Sequence, residues 1–212
     1  MKFTTLFFDL DDTLYPGDNG LWHAIKNRIS QYTTERMGIP EAVAEPLRQH
    51  YFEQYGTTLR GLQIHHHVDT AEYLAYVHDV PLKDFLQPNP ALRTIIQALP
   101  TRKFIFTNAD VPHANRVLDA LGLLDCFDGV IDVLALAPYC KPTPESFEIA
   151  LRLAGEPDPA RCVMIDDLRR TTRAARASGL YSILYGQPDP QSDADAAFTD
   201  WSLLPAILNG RP

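Results

Sequence analysis

The sequence predicts an α/β protein: a three-layer core around a parallel sheet, with an all-helical cap inserted after the first strand. Three observations predict it. Short apolar runs rich in β-branched and aromatic residues recur near residues 4–8, 103–107, 130–133, 162–165 and 181–185, each with the length and composition of a buried strand. From residue 89 onward these runs alternate with segments of helical period, the pattern of right-handed crossovers in a parallel sheet. Residues 17–88 show helical periodicity and no convincing strand, so the core consists of residues 1–16 and 89–212 and the cap of 17–88.

The first run, Thr4-Thr5-Leu6-Phe7-Phe8, leads into Asp9, and three carboxylates and a hydroxyl fall within five positions, Asp9 to Thr13. Like charges oppose each other's ionisation, so crowding carboxylates at the end of a buried strand makes sense around a cation. The carboxyl ends of parallel strands are also where ligands bind in such sheets. Tyr15-Pro16-Gly17-Asp18-Asn19-Gly20 is a turn cluster that stops this unit.

Trp22, Ile25, Ile29 and Tyr32 then fall at spacings of three and four, an amphipathic helix with Asn19 as its cap. Val43, Leu47, Tyr51 and Tyr55 repeat the pattern, with Pro46 expected in the first turn and Gly56 closing the helix. Thr57-Thr58-Leu59-Arg60-Gly61 reads as a polar loop leading into Ile64-His65-His66-His67-Val68, and Asp69 or Thr70 caps a helix carrying Tyr73, Leu74 and Val77. In the core, Leu92, Ile95, Ile96 and Leu99 belong to a helix that feeds the second strand. Helices over 112–121, 144–155 and about 171–178 separate the later strands, while the Asp- and Pro-rich stretch 188–197 reads as loosely ordered.

The 212 residues are 45% hydrophobic and 22% charged, with a formal net charge of −8, ordinary for a globular chain with a substantial core. A negative balance argues against a nucleic-acid polymer or an anionic membrane as partner, since both are captured by Lys/Arg patches. A small phosphorylated substrate needs only a local positive site. Cys126, Cys140 and Cys162 are odd in number and widely spaced, which suggests neither a disulfide framework nor a thiolate zinc site. The N-terminus lacks the basic and apolar regions of a secretory signal, and no stretch reaches the ~18 apolar residues of a membrane span. The expectation is a reduced, cytoplasmic enzyme, monomeric or homodimeric.

Four groups are expected at one edge of the sheet: Asp9 and Asp11 after strand one, Thr107 and Asn108 after the next, Lys141 in the Cys140-Lys141-Pro142 loop, and Asp166 with Asp167 after the fourth. Carboxylates alone repel a phosphate dianion, so a divalent cation and a lysine are needed to invert the local field. Asn108 serves either as a helix cap or in the phosphate site.

The set D-x-D-x-T, a Thr after an apolar strand, a lone Lys and a paired Asp, in that order, resembles the haloacid dehalogenase superfamily over residues 1–16 and 89–187. The resemblance implies a Rossmann-like core and a Mg²⁺-dependent phosphomonoester hydrolase. Asp9 is then the nucleophile that becomes an aspartyl phosphate. Asp11 is the general acid-base, with its main-chain carbonyl on the metal. Thr107, Asn108 and the amides that follow bind phosphate, and Lys141 neutralises the nucleophile and the phosphoryl oxygens. Asp167, with Asp166, completes an oxygen-only metal site. Family members often carry Ser after the paired Asp and Asn or Asp three residues beyond. Leu168 and Thr171 stand there instead, a departure that bears on metal affinity and activity.

Gly20-Leu21-Trp22, Tyr55 to Leu62, the stretch from His65 to Asp69, Val77-His78 and Phe106-Thr107-Asn108-Ala109 are together similar to the pyrimidine 5′-nucleotidase branch. That implies dephosphorylation of nucleoside 5′-monophosphates such as UMP or CMP. Thr58, Arg60 and Gly61, with His65, are the residues expected to meet the nucleoside. Adjacent histidines on a helix diverge by about 100° each, so His65, His66 and His67 do not converge on one ion. The alternatives are a sugar-phosphate phosphatase, a phosphomutase or a weakly active nucleotide-binding protein. Asp11 counts against a dehalogenase, because halide leaves without protonation.

Overall fold

A computed structural model describes residues 2–189 and 191–210. The first strand, β1 (Thr5–Phe8), is buried at every position, as an uncharged strand inside a parallel sheet must be. The chain leaves it for four helices, α1 (Leu21–Glu35), α2 (Glu41–Tyr55), α3 (Thr58–His66) and α4 (Thr70–Val77). It returns through α5 (Pro90–Ala98) to β2 (Arg102–Phe106), α6 (Val111–Leu121) and β3 (Gly129–Ile131). Then follow α7 (Pro144–Leu153), β4 (Cys162–Asp166), α8 (Arg169–Ala177), β5 (Tyr181–Tyr185), β6 (Ala196–Phe198) and α9 (Leu204–Leu208).

Among the described residues the sheet has the order β3-β2-β1-β4-β5-β6, and every pairing is parallel. The chain steps outward from β1 to β3, then crosses back to β4 and steps outward the other way. Strand order therefore reverses beside β1, and at such a switch point the carboxyl ends of the strands open a crevice. Phe8 is in register with Ile105 on one side and Ile165 on the other. Asp9, Thr107 and Asp166 consequently emerge side by side.

Alternation along the strands builds two cores. Phe7 packs on one face with Phe106, Phe147, Met164 and Ala175, beneath α7 and α8. Leu6 and Phe8 pack on the other with Leu92, Val117 and Ile165, and this cluster continues through Leu14, Leu21, Ile25, Leu62 and Tyr73 into the inserted helices. No helix among the described residues is long and apolar enough to cross a membrane.

Three local readings are corrected. Residues 57–61 are not a loop: Thr57 accepts a hydrogen bond from the Arg60 amide at 3.0 Å and caps α3, which begins at Thr58. Gly61 lies inside that helix because its bare Cα sits against the Tyr51 ring of α2, where a Cβ would collide. Pro46 is in the interior of α2, not its first turn, which leaves the Ala42 carbonyl without its helical donor. Gly20, not Asn19, holds the cap position of α1, although the Asn19 side chain accepts from the Leu21 amide at 2.9 Å.

The stretch 188–197, whose Pro190 lies outside the described residues, leads into β6 and is tied along α8. Asp189 pairs with Arg169 at 2.8 Å, Asp193 with Arg173 at 2.7 Å and Asp195 with Arg176 at 3.2 Å. Those arginines fall at helical spacing on an element about twenty residues away, a partnership no local pattern displays.

Candidate active site

Lys141 is the centre of the sheet edge. Its ammonium donates to Asp9 Oδ1 at 2.7 Å and to Asp166 Oδ2 at 2.8 Å, with the lysine side chain only 4% exposed. Burial disfavours a charged lysine, but Asp166 and Asp9 outweigh it and hold the ammonium firmly protonated. The lysine's backbone is gripped as well: Asn108 accepts from the Lys141 amide and donates to the Lys141 carbonyl, both at 2.9 Å. Asn108 therefore spends its side chain as a clamp, and only its main chain is left for an anion. Thr107 Oγ1 accepts from the Ala109 amide at 3.0 Å, and the Thr107 hydroxyl proton has no partner among the described residues.

The paired aspartates are fixed from both sides. Asp166 Oδ1 accepts from the Leu168 amide at 2.9 Å. The Thr13 hydroxyl donates to Asp167 Oδ1 at 3.1 Å and accepts from the Asp167 amide at 3.2 Å. Thr171 is buried at the cavity wall, and the exposed Leu168 lines the same cavity besides donating its amide to Asp166.

Asp9, Asp166 and Asp167 each offer a carboxylate oxygen within 4.8 Å of the others. Lys141 cancels one of these three charges. Burial, then the neighbouring Asp166 charge, pushes both the Asp9 and the Asp167 carboxyls above their ordinary range, against the pull of Lys141 on Asp9. Three hard oxygen donors whose joint ionisation is resisted by their own repulsion suit a small divalent cation such as Mg²⁺. The Asp11 carboxylate is outside this trio, so only its main-chain carbonyl is left for a metal.

Asp11 Oδ1 instead accepts from the Tyr15 hydroxyl at 2.6 Å and lies 3.0 Å from His113 Nε2. His113 is fully buried and stacks on His78 with ring centroids 4.1 Å apart, and His78 Nδ1 pairs with Asp110 at 3.0 Å. Burial opposes ionisation of Asp11, yet His113 and Tyr15 prevail and hold its carboxyl below the usual range. Sequence reasoning missed His113. Its signal was a histidine in the apolar stripe of α6, four residues before the buried Val117.

A cavity of about 170 Å³ opens between this edge and the inserted helices. Of the four residues expected to meet the substrate, Thr58 lines it. Arg60 turns away, bonding Gln63 at 3.4 Å beside a separate small groove that includes Leu134 and Tyr139. Gly61 faces Tyr51. His65 is exposed and pairs with the Tyr55 hydroxyl at 2.7 Å. The cap cation that reaches the cavity is Arg48. It stands in the stripe of α2 between the buried Ala44 and Tyr51, a position where a charge is unexpected.

Fold and site together define a class. The model of haloacid dehalogenase-like hydrolases matches residues 3–179, and the chain belongs to that family of phosphatase-like hydrolases. Phosphate metabolism protein 8 of Saccharomyces cerevisiae is 29% identical over 207 residues, 91% of this chain and 64% of that protein. The chain thus spans less than two thirds of that relative's length. Pyrimidine 5′-nucleotidase YjjG of Escherichia coli is 28% identical over 182 residues, 79% of this chain and 78% of that one. Among solved structures, the magnesium-bound HAD-hydrolase YfnB of Bacillus subtilis aligns with a TM-score of 0.62 at 18% identity, over 99% of this chain and 100% of that one. This last likeness concerns the fold.

Proposed function

We propose that the protein is a Mg²⁺-dependent phosphomonoesterase that forms an aspartyl phosphate on Asp9 and acts on pyrimidine nucleoside 5′-monophosphates such as UMP and CMP. The observation that carries this reading is Lys141 bridging Asp9 and Asp166 at 2.7 and 2.8 Å, with Asp167 beside them. Asp9 Oδ1 is held by the lysine, while Oδ2 has no hydrogen-bond partner among the described residues and is the oxygen free to attack phosphorus.

In the first half-reaction the Asp9–phosphorus bond forms as the phosphorus–oxygen bond to the nucleoside breaks, and Asp11 protonates the departing oxygen. The phosphate dianion beside Asp11 raises its pKa on binding, which supplies the protonated form the acid role needs. In the second half-reaction Asp11, now a carboxylate, takes a proton from the water that attacks the acyl phosphate. The Thr107 hydroxyl and the Asn108 amide donate to the phosphoryl oxygens, and Lys141 balances the charge that develops on them. Asp9, Asp166 and Asp167 would hold Mg²⁺, which would supply the positive charge needed to offset the remaining repulsion between carboxylates and phosphate.

The nucleotide assignment rests on an apolar, aromatic cavity above the phosphate site and on the similarity to YjjG. Phosphate release from UMP, CMP, ribose 5-phosphate and p-nitrophenyl phosphate, with Mg²⁺ and with excess EDTA, tests both parts. The expected result is Mg²⁺-dependent release with the pyrimidine nucleotides foremost. Full activity in EDTA refutes the metal-dependent reading, and a preference for ribose 5-phosphate refutes the nucleotidase reading.

A further inference from the structure

The cavity above the phosphate site holds two hydrogen-bonding side chains that the chemistry at phosphorus leaves unused. Its cap-side walls are largely apolar, with Trp22, Ile25, Phe52 and Leu74 among them. Into this setting come Arg48 from α2 and Tyr73 from α4.

The Arg48 side chain is 11% exposed, and its guanidinium makes one long hydrogen bond among the described residues, 3.5 Å to the exposed Glu45. A guanidinium carries five N–H donors. The Tyr73 hydroxyl has no partner among the described residues, on a residue only 3% exposed. Thr58 does not compete for either group, since its hydroxyl donates to the Arg48 carbonyl at 3.2 Å. Neither group is among the fully buried polar atoms that lack partners in the described residues; both open onto the cavity, where a ligand can supply the acceptor.

The occupant must bring acceptors on its edge and apolar faces to its sides. A sugar brings hydroxyls that donate as well as accept, and walls this poor in acceptors leave those protons unpaired. An acyl chain fills the walls and leaves the guanidinium and phenol unpaired. A flat ring with carbonyl oxygens on its edge satisfies both. We infer that Arg48 and Tyr73 form the subsite for the leaving group's base, donating to the carbonyl edge of an oxo-pyrimidine held between apolar walls. The inference rests on the nucleotidase reading above and deepens it. Adenine, which has no carbonyl oxygen and places an amino donor on its edge, offers these donors less and is disfavoured.

The test is steady-state kinetics with UMP, AMP and ribose 5-phosphate on the wild type, Arg48→Met and Tyr73→Phe, each checked for folding by thermal melting. Uridine inhibition serves as a readout of base binding apart from turnover. The wild type should favour UMP over both other substrates. Arg48→Met should lower the ratio of kcat/KM for UMP over ribose 5-phosphate by about tenfold to a hundredfold, and Tyr73→Phe by about twofold to tenfold. Uridine inhibition should weaken in step, and Arg48→Met should narrow the gap between UMP and AMP.

A wild type that favours UMP and an Arg48→Met variant that keeps the ratio overturn the subsite while the nucleotidase reading stands. A wild type with no preference for UMP over ribose 5-phosphate overturns the nucleotidase reading and the subsite with it. If Arg48→Met does not fold, Arg48→Lys keeps the charge but loses the planar fork. It should lower the same ratio, and an undiminished ratio in both Arg48→Lys and Tyr73→Phe overturns the inference.

Discussion

Arg170 lies over Phe52, its guanidinium carbon 3.6 Å from the ring centroid, and donates to the Phe52 carbonyl at 2.6 Å and the Gly56 carbonyl at 2.8 Å. Helix α8, which follows the paired aspartates, is thereby tied to the last turn of α2. Gly56 closes that turn at φ +90°, and a Cβ there would lie 2.6 Å from the Lys141 carbonyl. The inserted helices, the loop after Asp166 and Asp167, and the Lys141 loop meet at this joint.

Arg170→Ala removes two charge-assisted hydrogen bonds and a stacked cation. A loss of about 2 kcal/mol is expected, a fall in Tm of roughly 4–8 °C for a chain of this size. Because Phe52 is a wall of the cavity, kcat/KM for UMP should fall more than that for p-nitrophenyl phosphate. An unchanged melting curve argues against the tie.

Asn108 holds the Lys141 backbone by two hydrogen bonds. Asn108→Ala loses both, and at about 0.5–1.5 kcal/mol each kcat should fall roughly tenfold to a hundredfold. Asn108→Asp keeps the acceptor for the Lys141 amide but offers nothing to its carbonyl, so it should not restore the rate. The concentration of Mg²⁺ giving half-maximal activity should stay near that of the wild type, since Asn108 touches no carboxylate. A variant with wild-type kcat sinks the clamp.

Asp9→Asn should abolish turnover with the fold intact, because an amide cannot form the acyl phosphate. Residual activity above about a thousandth of wild type, some 4 kcal/mol of barrier, contradicts the nucleophile assignment. Asp11→Asn should retain more activity on p-nitrophenyl phosphate, whose leaving group needs no proton, than on UMP. Equal losses on both substrates count against the acid role.

On the proposed reading, protons and Mg²⁺ compete for the same carboxylates. Burial, ahead of neighbouring charges, raises Asp9 and Asp167 and pushes Asp12 up to about 6 from an ordinary value of 3.8. A carboxyl with a higher pKa folded than unfolded binds more protons in the folded state between the two values, so stability falls as pH rises through that window. His78, lowered chiefly by burial, acts in the opposite direction below its ordinary 6.5, and so do carboxyls with lowered values such as Asp11, Asp110 and Glu156, whose effect lies at and below their ordinary 3.8 and 4.5. In EDTA the three raised carboxyls should therefore make the Tm fall as pH rises from about 5 past 6. Added Mg²⁺ should raise Tm more near about pH 7.5 than near about pH 5, because the ligands must be deprotonated. An increment independent of pH, or one that survives Asp167→Asn, speaks against the site.

Gly61→Ala should destabilise by about 1–3 kcal/mol through overpacking against Tyr51. The ratio of kcat/KM for UMP over ribose 5-phosphate should not change, since Gly61 meets α2 and not the cavity. Arg60→Ala should likewise leave that ratio as it is, and a tenfold fall returns Arg60 to the substrate.

The carboxylates were legible in the sequence because the signals that mark them are local: Asp9 follows a strand whose apolar run announces burial, and Asp166 and Asp167 follow another. Lys141, in a loop next to proline, carries no such signal of its own and was marked by the resemblance to the haloacid dehalogenase pattern. The α/β class followed from period alone, since side-chain alternation and helical spacing are properties of near neighbours. Three-dimensional packing decided the rest. Arg60 stood in a polar, Gly-flanked stretch that looked like a specificity loop. Its helix, started by the Thr57 cap, turns it toward Gln63, while Arg48 shares the buried face of α2 with Ala44 and Tyr51. His113 reaches Asp11 across 102 positions because β2, which leads into α6, lies beside β1. Strand order and helix rotation are settled by which distant apolar faces can be buried together, and a single sequence carries no record of that choice among its neighbouring residues.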